Sequence, residues 1–180
     1  DRLVITAGLA VVCALAWLTT AHHAMMGADM APSPWMPVSA ILVFSMWLTM
    51  MVAMMVPAAA PMITAFAAIN KRRRERDVPY VATAVFLLGY VLAWGAFSAV
   101  ATLVQGLLQA YGLLSGRLEG APILGAVLFV VAGFYQWSPL KQVCLTRCRT
   151  PVGFILSQWR DGPVGAVMMG LIHGAYCMGC

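Results

Sequence analysis

A chain of 180 residues that is 62% hydrophobic and 9% charged, with a mean hydropathy of +0.87, has too few polar groups to face water on all sides. That composition points to an integral membrane protein and excludes an ordinary soluble domain or a disordered segment. The net charge of +5 comes from eleven Lys and Arg against six Asp and Glu; its basic runs lie at membrane ends, where they set topology and meet lipid head groups, so nucleic acid is not an expected partner.

The predicted fold class is all-α: one transmembrane domain over 1–180, a polytopic membrane helix bundle with an interfacial amphipathic helix at about 139–149. Five spans are predicted, at about 3–21, 38–69, 81–111, 121–137 and 163–180, each read as an apolar stretch against a bilayer core of about 30 Å. The first reads as a retained helix and not a signal peptide, because the flank from His22 to Pro34 lacks a small-x-small cleavage site. Its single thiol, Cys13, reads as packing.

After that span come His22, His23, Met25 and Met26, followed by Asp29 and Met30. Imidazole beside thioether at the mouth of a bundle is the composition of an exposed copper capture patch. An interfacial turn in which a histidine caps the first helix accounts for the same residues.

The second span carries Met46, Met50 and Met54 on one helical stripe, Met51 and Met55 on the next, and Met62 beyond Pro57 and Pro61. For any single Met, gap filling is the plainer reading. The two prolines are expected to kink or break this helix near its basic end. That end holds Lys71, Arg72, Arg73, Arg74 and Arg76. With spans alternating, Arg2, this run, Lys141, Arg147, Arg149 and Arg160 fall on one side and Arg117 alone on the other, which places the N-terminus in the cytoplasm. No Asp or Glu falls inside a predicted span, which counts against a proton-coupled transporter. Gly89, Gly95, Gly106, Gly125 and Gly133 are the residues expected to allow close helix approach.

In the fourth connection Leu140, Cys144 and Cys148 recur at i, i+4 and i+8, which predicts an amphipathic helix lying on the cytoplasmic surface. Cys144 and Cys148 form a candidate second thiol site, with Lys141, Arg147 and Arg149 favouring thiolates; burial of two small side chains is the plainer alternative. The last span holds Met169, His173, Cys177 and Cys180, spaced four, four and three apart and therefore on one helix face. Thioether, imidazole and two thiols select a soft ion, Cu(I) before zinc, which would need a fourth ligand beside His173, Cys177 and Cys180. Haem is disfavoured because no second histidine lies in a span. Counting about 1.5 Å per residue from the span ends sets Met46 at the depth of His173 and Met50 near Met169, with Cys177 and Cys180 toward the outer face.

Three stretches carry a family resemblance: Met46-Trp47-Leu48-Thr49-Met50-Met51-Val52-Ala53-Met54-Met55-Val56-Pro57 with Pro61 and Met62; Tyr135-Gln136-Trp137-Ser138-Pro139-Leu140-Lys141 with Cys144 and Cys148; and Gly170 through Cys177-Met178-Gly179-Cys180. With Gly89, Tyr90 and Trp94, they resemble the predicted metal-binding integral membrane protein family, a bacterial domain of unknown function. The resemblance implies a multi-pass protein of the bacterial inner membrane with a metal site. It also implies a further Cys, a Trp and a sixth span beyond Cys180.

Two functions follow as expectations. One is soft-metal binding, with copper as the ion, in metal handling or the assembly of a cuproenzyme. The other is a non-catalytic accessory subunit of a larger membrane protein complex, its Met, Cys and Gly faces used for helix packing. No catalytic constellation is present in the sequence, and the lipid bilayer is the common partner of both readings.

Overall fold

A computed structural model describes residues 2–26, 37–114 and 122–180, and the regular elements among them are helices: α1 (Arg2–Met26), α2 (Pro37–Glu75), α3 (Thr83–Ala110), α4 (Pro122–Gln136), α5 (Pro139–Arg149), α6 (Pro151–Gln158) and α7 (Gly162–Gly179). The all-α expectation holds. By length and composition α2 and α3 could each cross a membrane, where five spans were expected. The 15-residue α4 spans only about 22 Å, short of a bilayer core.

Proline punctuates the chain. Pro37, Pro122, Pro139 and Pro151 each begin a helix, where the missing N–H has no helical partner to lose. Ser138 caps α5 by accepting the Lys141 N–H at 3.2 Å. Pro151 holds Thr150 out of the helical region, at φ −115° and ψ 74°, and so divides α5 from α6. Pro57 and Pro61, by contrast, lie inside an uninterrupted α2 and do not break it. α2 ends in Arg72, Arg73 and Arg74, whose charges suit the negative end of a helix dipole.

α3 stands at the centre, packed on α2 along one side and on α7 along the other. The α3–α7 seam is a backbone contact. A Cβ built on Gly170 would fall 2.1 Å from the Phe86 carbonyl oxygen, one on Gly89 2.1 Å from that of Val167, and one on Gly174 2.5 Å from the Ala93 Cβ. Ala166, Gly170 and Gly174 thus form a small-residue stripe at helical spacing, the device that lets helices approach closely without a hydrophobic driving force. Of the glycines expected to serve this role only Gly89 does; Cβ atoms on Gly95, Gly106, Gly125 and Gly133 would meet nothing within 4 Å. Helical glycines are interchangeable in sequence, and only the seam distinguishes them.

At its basic end, α2 is tied to the start of α7. Arg73 pairs with Asp161 at 2.8 Å and lies 5.1 Å above the Trp159 ring. Trp159 donates to Asp161 at 3.0 Å and stacks on Phe66. α7 then runs 18 residues, about 27 Å, away from that anchor.

α5 meets α7 at its far end. Cys144 lies against Gly179, and the Tyr135 hydroxyl donates to the Gly179 carbonyl. From there α5 and α6 lead back alongside α7, Phe154 packing on His173 and Tyr176, to Trp159 at the basic end. This corrects the expected arrangement, which put α5 on the cytoplasmic surface and Cys177 and Cys180 toward the opposite face. Side chains in contact cannot have a bilayer between them. The amphipathic stripe is real only in part: Cys144 is buried, but Leu140 is 62% exposed.

Candidate metal centre

The soft donors on α7 and α5 meet. His173 Nε2 lies 3.7 Å from Cys177 Sγ, Cys177 Sγ lies 3.7 Å from Cys148 Sγ, and Cys148 Sγ lies 3.2 Å from Cys180 Sγ. Exposure rises along this line. His173 is 2% exposed and Cys177 9%, Cys148 is half-buried and Cys180 is exposed. The second thiol site is therefore not separate: Cys148 joins the α7 donors, while its expected partner Cys144 is occupied in packing on Gly179. Met169 is fully buried one turn below His173.

His173 sits in an aromatic shell. Phe154 meets its ring edge-on at 5.4 Å, with Tyr90 at 5.6 Å and Phe86 at 6.2 Å. The Tyr90 hydroxyl donates to the Met55 carbonyl of α2 at 3.0 Å and also lies within reach of the Cys177 thiol. His173 Nδ1 is buried without a hydrogen-bond partner. Buried polar atoms are ordinarily paired, so the unpartnered Nδ1 is an unusual group to bury, while Nε2 is the separate ring nitrogen that faces the Cys177 thiol as a donor. Sequence spacing gave His173 but not its shell, since aromatic residues on α3 and α6 carry no signal of what they will enclose.

Around one ion bound as zinc is, with metal–sulfur bonds of about 2.3 Å and metal–nitrogen bonds of about 2.0 Å, adjacent donors stand about 3.5–4.0 Å apart. Both 3.7 Å contacts fall in that window, and the 3.2 Å contact is shorter. Among the described residues no group of three or more His, Cys, Asp or Glu side chains forms a ready metal cage. The donors make a line of neighbouring pairs that share Cys177 and Cys148. Such a line suits an ion of low coordination number better than a structural zinc site, which closes four ligands on one point.

The other sequence candidates lie elsewhere. α7 packs chiefly on α3 and α5, and α2 chiefly on α1 and α3, so the structure does not gather Met46, Met50 and Met54 with the thiol line. Met50 packs against the core, whereas Met54 is 42% exposed and Met51 and Met62 are the buried methionines of α2. The depth count is corrected as well: through Tyr90, the α2 residue level with His173 is Met55, not Met46. Counting from Pro37 misplaced it because α2 is longer than any bilayer requires. His22, His23, Met25 and Met26 belong to the last turn of α1 and not to a loop, with His22 and Met25 exposed. Asp29 and Met30 lie outside the described residues.

Residues 44–180 match the family model PpoB2, described as copper chaperone. The chain belongs to this copper chaperone family. The matched span includes the whole thiol line and α2 from Phe44 onward, and leaves out the His and Met residues at the end of α1. No curated protein and no solved structure matches the chain.

Proposed function

We propose that this protein is a copper chaperone of the bacterial inner membrane that carries Cu(I) along His173, Cys177, Cys148 and Cys180 and hands it to a cuproenzyme during assembly. The observation that supports this reading is the continuous donor line, running from a buried imidazole to an exposed thiol with each neighbour 3.7 Å away or closer. Cu(I) accepts two or three soft ligands, so an ion can take the next thiolate before releasing the last. His173 with Cys177 forms the retaining end, shielded by Phe86, Tyr90 and Phe154; Cys180 is the end at which a partner's ligands attack. The buried aromatic shell keeps water from the retained ion.

In this reading α2 and α3 span the bilayer, α1 and α7 cross beside them, and α5 with α6 forms a broken helix against α7. The run Lys71 to Arg76 favours the cytoplasm for that end of α2, which sets Cys180 toward the outer face. A membrane-impermeant maleimide should therefore label Cys180 in right-side-out vesicles and not in inverted ones.

The testing experiment is metal content by mass spectrometry on detergent-purified protein after anaerobic Cu(I) loading, wild type beside the Cys177→Ser, Cys180→Ser double variant. Near-stoichiometric copper that is lost in the variant supports copper handling. A wild type that stays metal-free removes it and leaves the accessory-subunit reading.

A further inference from the structure

Cys148 and Cys180 do not resemble the other neighbours in the line. Their sulfurs are 3.2 Å apart, shorter than the separation of about 3.5–4.0 Å that two donors keep around one ion bound as zinc is. Both are free thiols, they lie on different elements, and Cys180 is exposed. A disulfide needs the sulfurs at about 2.05 Å, a closure of about 1.2 Å, which is small for an exposed side chain. The alternative pair, Cys148 with Cys177, starts 3.7 Å apart and would withdraw a buried thiol from His173.

The geometry points to a second activity that rests on the copper-handling reading: the Cys148–Cys180 dithiol reduces Cu(II) to Cu(I) at the exposed end of the line. Two thiols each lose a proton and one electron, a sulfur–sulfur bond forms between them, and two Cu(II) ions become two Cu(I) ions. One Cu(I) has a place between His173 and Cys177, which keep their donor atoms; the other leaves to an external Cu(I) acceptor. A dithiol donor returns the pair to its reduced state by thiol–disulfide exchange, forming its own disulfide. During reduction the outer pair thus supplies electrons while the inner pair supplies ligands, and once returned to its thiol state the outer pair again offers donors to Cu(I). Without that reduction, a chain built to hold Cu(I) depends on receiving the ion already reduced.

The test uses the full chain in detergent, fully reduced, without oxygen. Two equivalents of copper(II) sulfate are added in the presence of a large excess of bicinchoninate, which withdraws all the Cu(I) formed, including that held by the chain, and colours on binding it. Expected are two Cu(I) formed per chain, loss of two of the five titratable thiols, and a peptide cross-link joining Cys148 to Cys180. Cys144→Ser should leave all three readouts unchanged, and Cys180→Ser should remove the cross-link and slow Cu(I) formation at least tenfold. A cross-link joining Cys148 to Cys177, no cross-link, or an unchanged rate in Cys180→Ser overturns the proposal. Cys180→Ala, with its helix content checked by circular dichroism, guards against misfolding of one variant. A separate arm supplies Cu(I) directly. If wild type fails to hold it there, copper carriage fails, while the cross-link still reports on reduction.

Discussion

Cys148 Sγ and Cys177 Sγ stand 3.7 Å apart across the α5–α7 contact, although 29 residues separate them in the chain. That approach makes Cys148 a working member of the donor line, and it separates two cysteines that look equivalent in sequence. Cys148→Ser should weaken Cu(I) retention at least tenfold, as Cys177→Ser should, whereas Cys144→Ser should leave it within about twofold. Competition against bicinchoninate measures all three. Equal losses in Cys144→Ser and Cys148→Ser would mean that the two thiols act together as the sequence first suggests.

His173 gives a prediction with opposite signs in the two states. Its Nδ1 is buried and unpaired, and an unsatisfied buried polar atom costs about 1–3 kcal/mol. His173→Leu, close in volume, should therefore raise the melting temperature of the metal-free protein. It should also abolish the further rise that Cu(I) gives to wild type through preferential binding to the folded state. Thermal unfolding in detergent, with and without Cu(I), reads both effects. A lower melting temperature in the metal-free variant would show that the Nε2 contact with Cys177 outweighs the unpaired Nδ1.

The α3–α7 seam should be intolerant of a single methyl group. At Gly170 an added Cβ meets a backbone carbonyl 2.1 Å away, and backbone cannot give without shifting a helix. Gly170→Ala should cost about 1–3 kcal/mol, the usual range for overpacking. Gly95→Ala, with open space around it, should cost nothing measurable or stabilise slightly through helix propensity.

The tie at the basic end of α2 should matter less than its contacts suggest. Asp161 is largely exposed where it meets Arg73, and exposed ion pairs contribute about 0.2–1 kcal/mol. Asp161→Asn should lower stability by no more than about 1 kcal/mol. Arg73→Ala should cost more, because it also removes the guanidinium from the Trp159 ring and from the Pro79 carbonyl. Denaturation of the two variants side by side measures the difference.

Periodicity and composition carried the helices. Apolar runs placed α3, α4 and α7 within two residues at each end but fell short of the ends of α1 and α2, an amphipathic stripe placed α5 at 139 and 149, and α6 was not anticipated, because a run of apolar residues is a local fact and the continuation of a helix past it is not. The i, i+4, i+8, i+11 face of His173 and its neighbours was equally local, since one helix fixes it. The role of α5 was not. Amphipathicity says that Cys144 and Cys148 share a face and leaves open whether lipid or another helix covers it.

The sequence by itself determined an all-helical, apolar chain and one row of soft donors on α7, because both depend only on residue type and a 3.6-residue repeat. The tertiary structure decided which row a second helix would complete. It packed α7 chiefly on α3, and it turned α5 back onto the end of α7. It also chose Gly170 and Gly174 over other glycines for the seam. Those choices rest on contacts between residues far apart in the chain, and their physical reason is packing: where backbone meets backbone, the fit of two surfaces decides, and neither surface is written in the local pattern of the other.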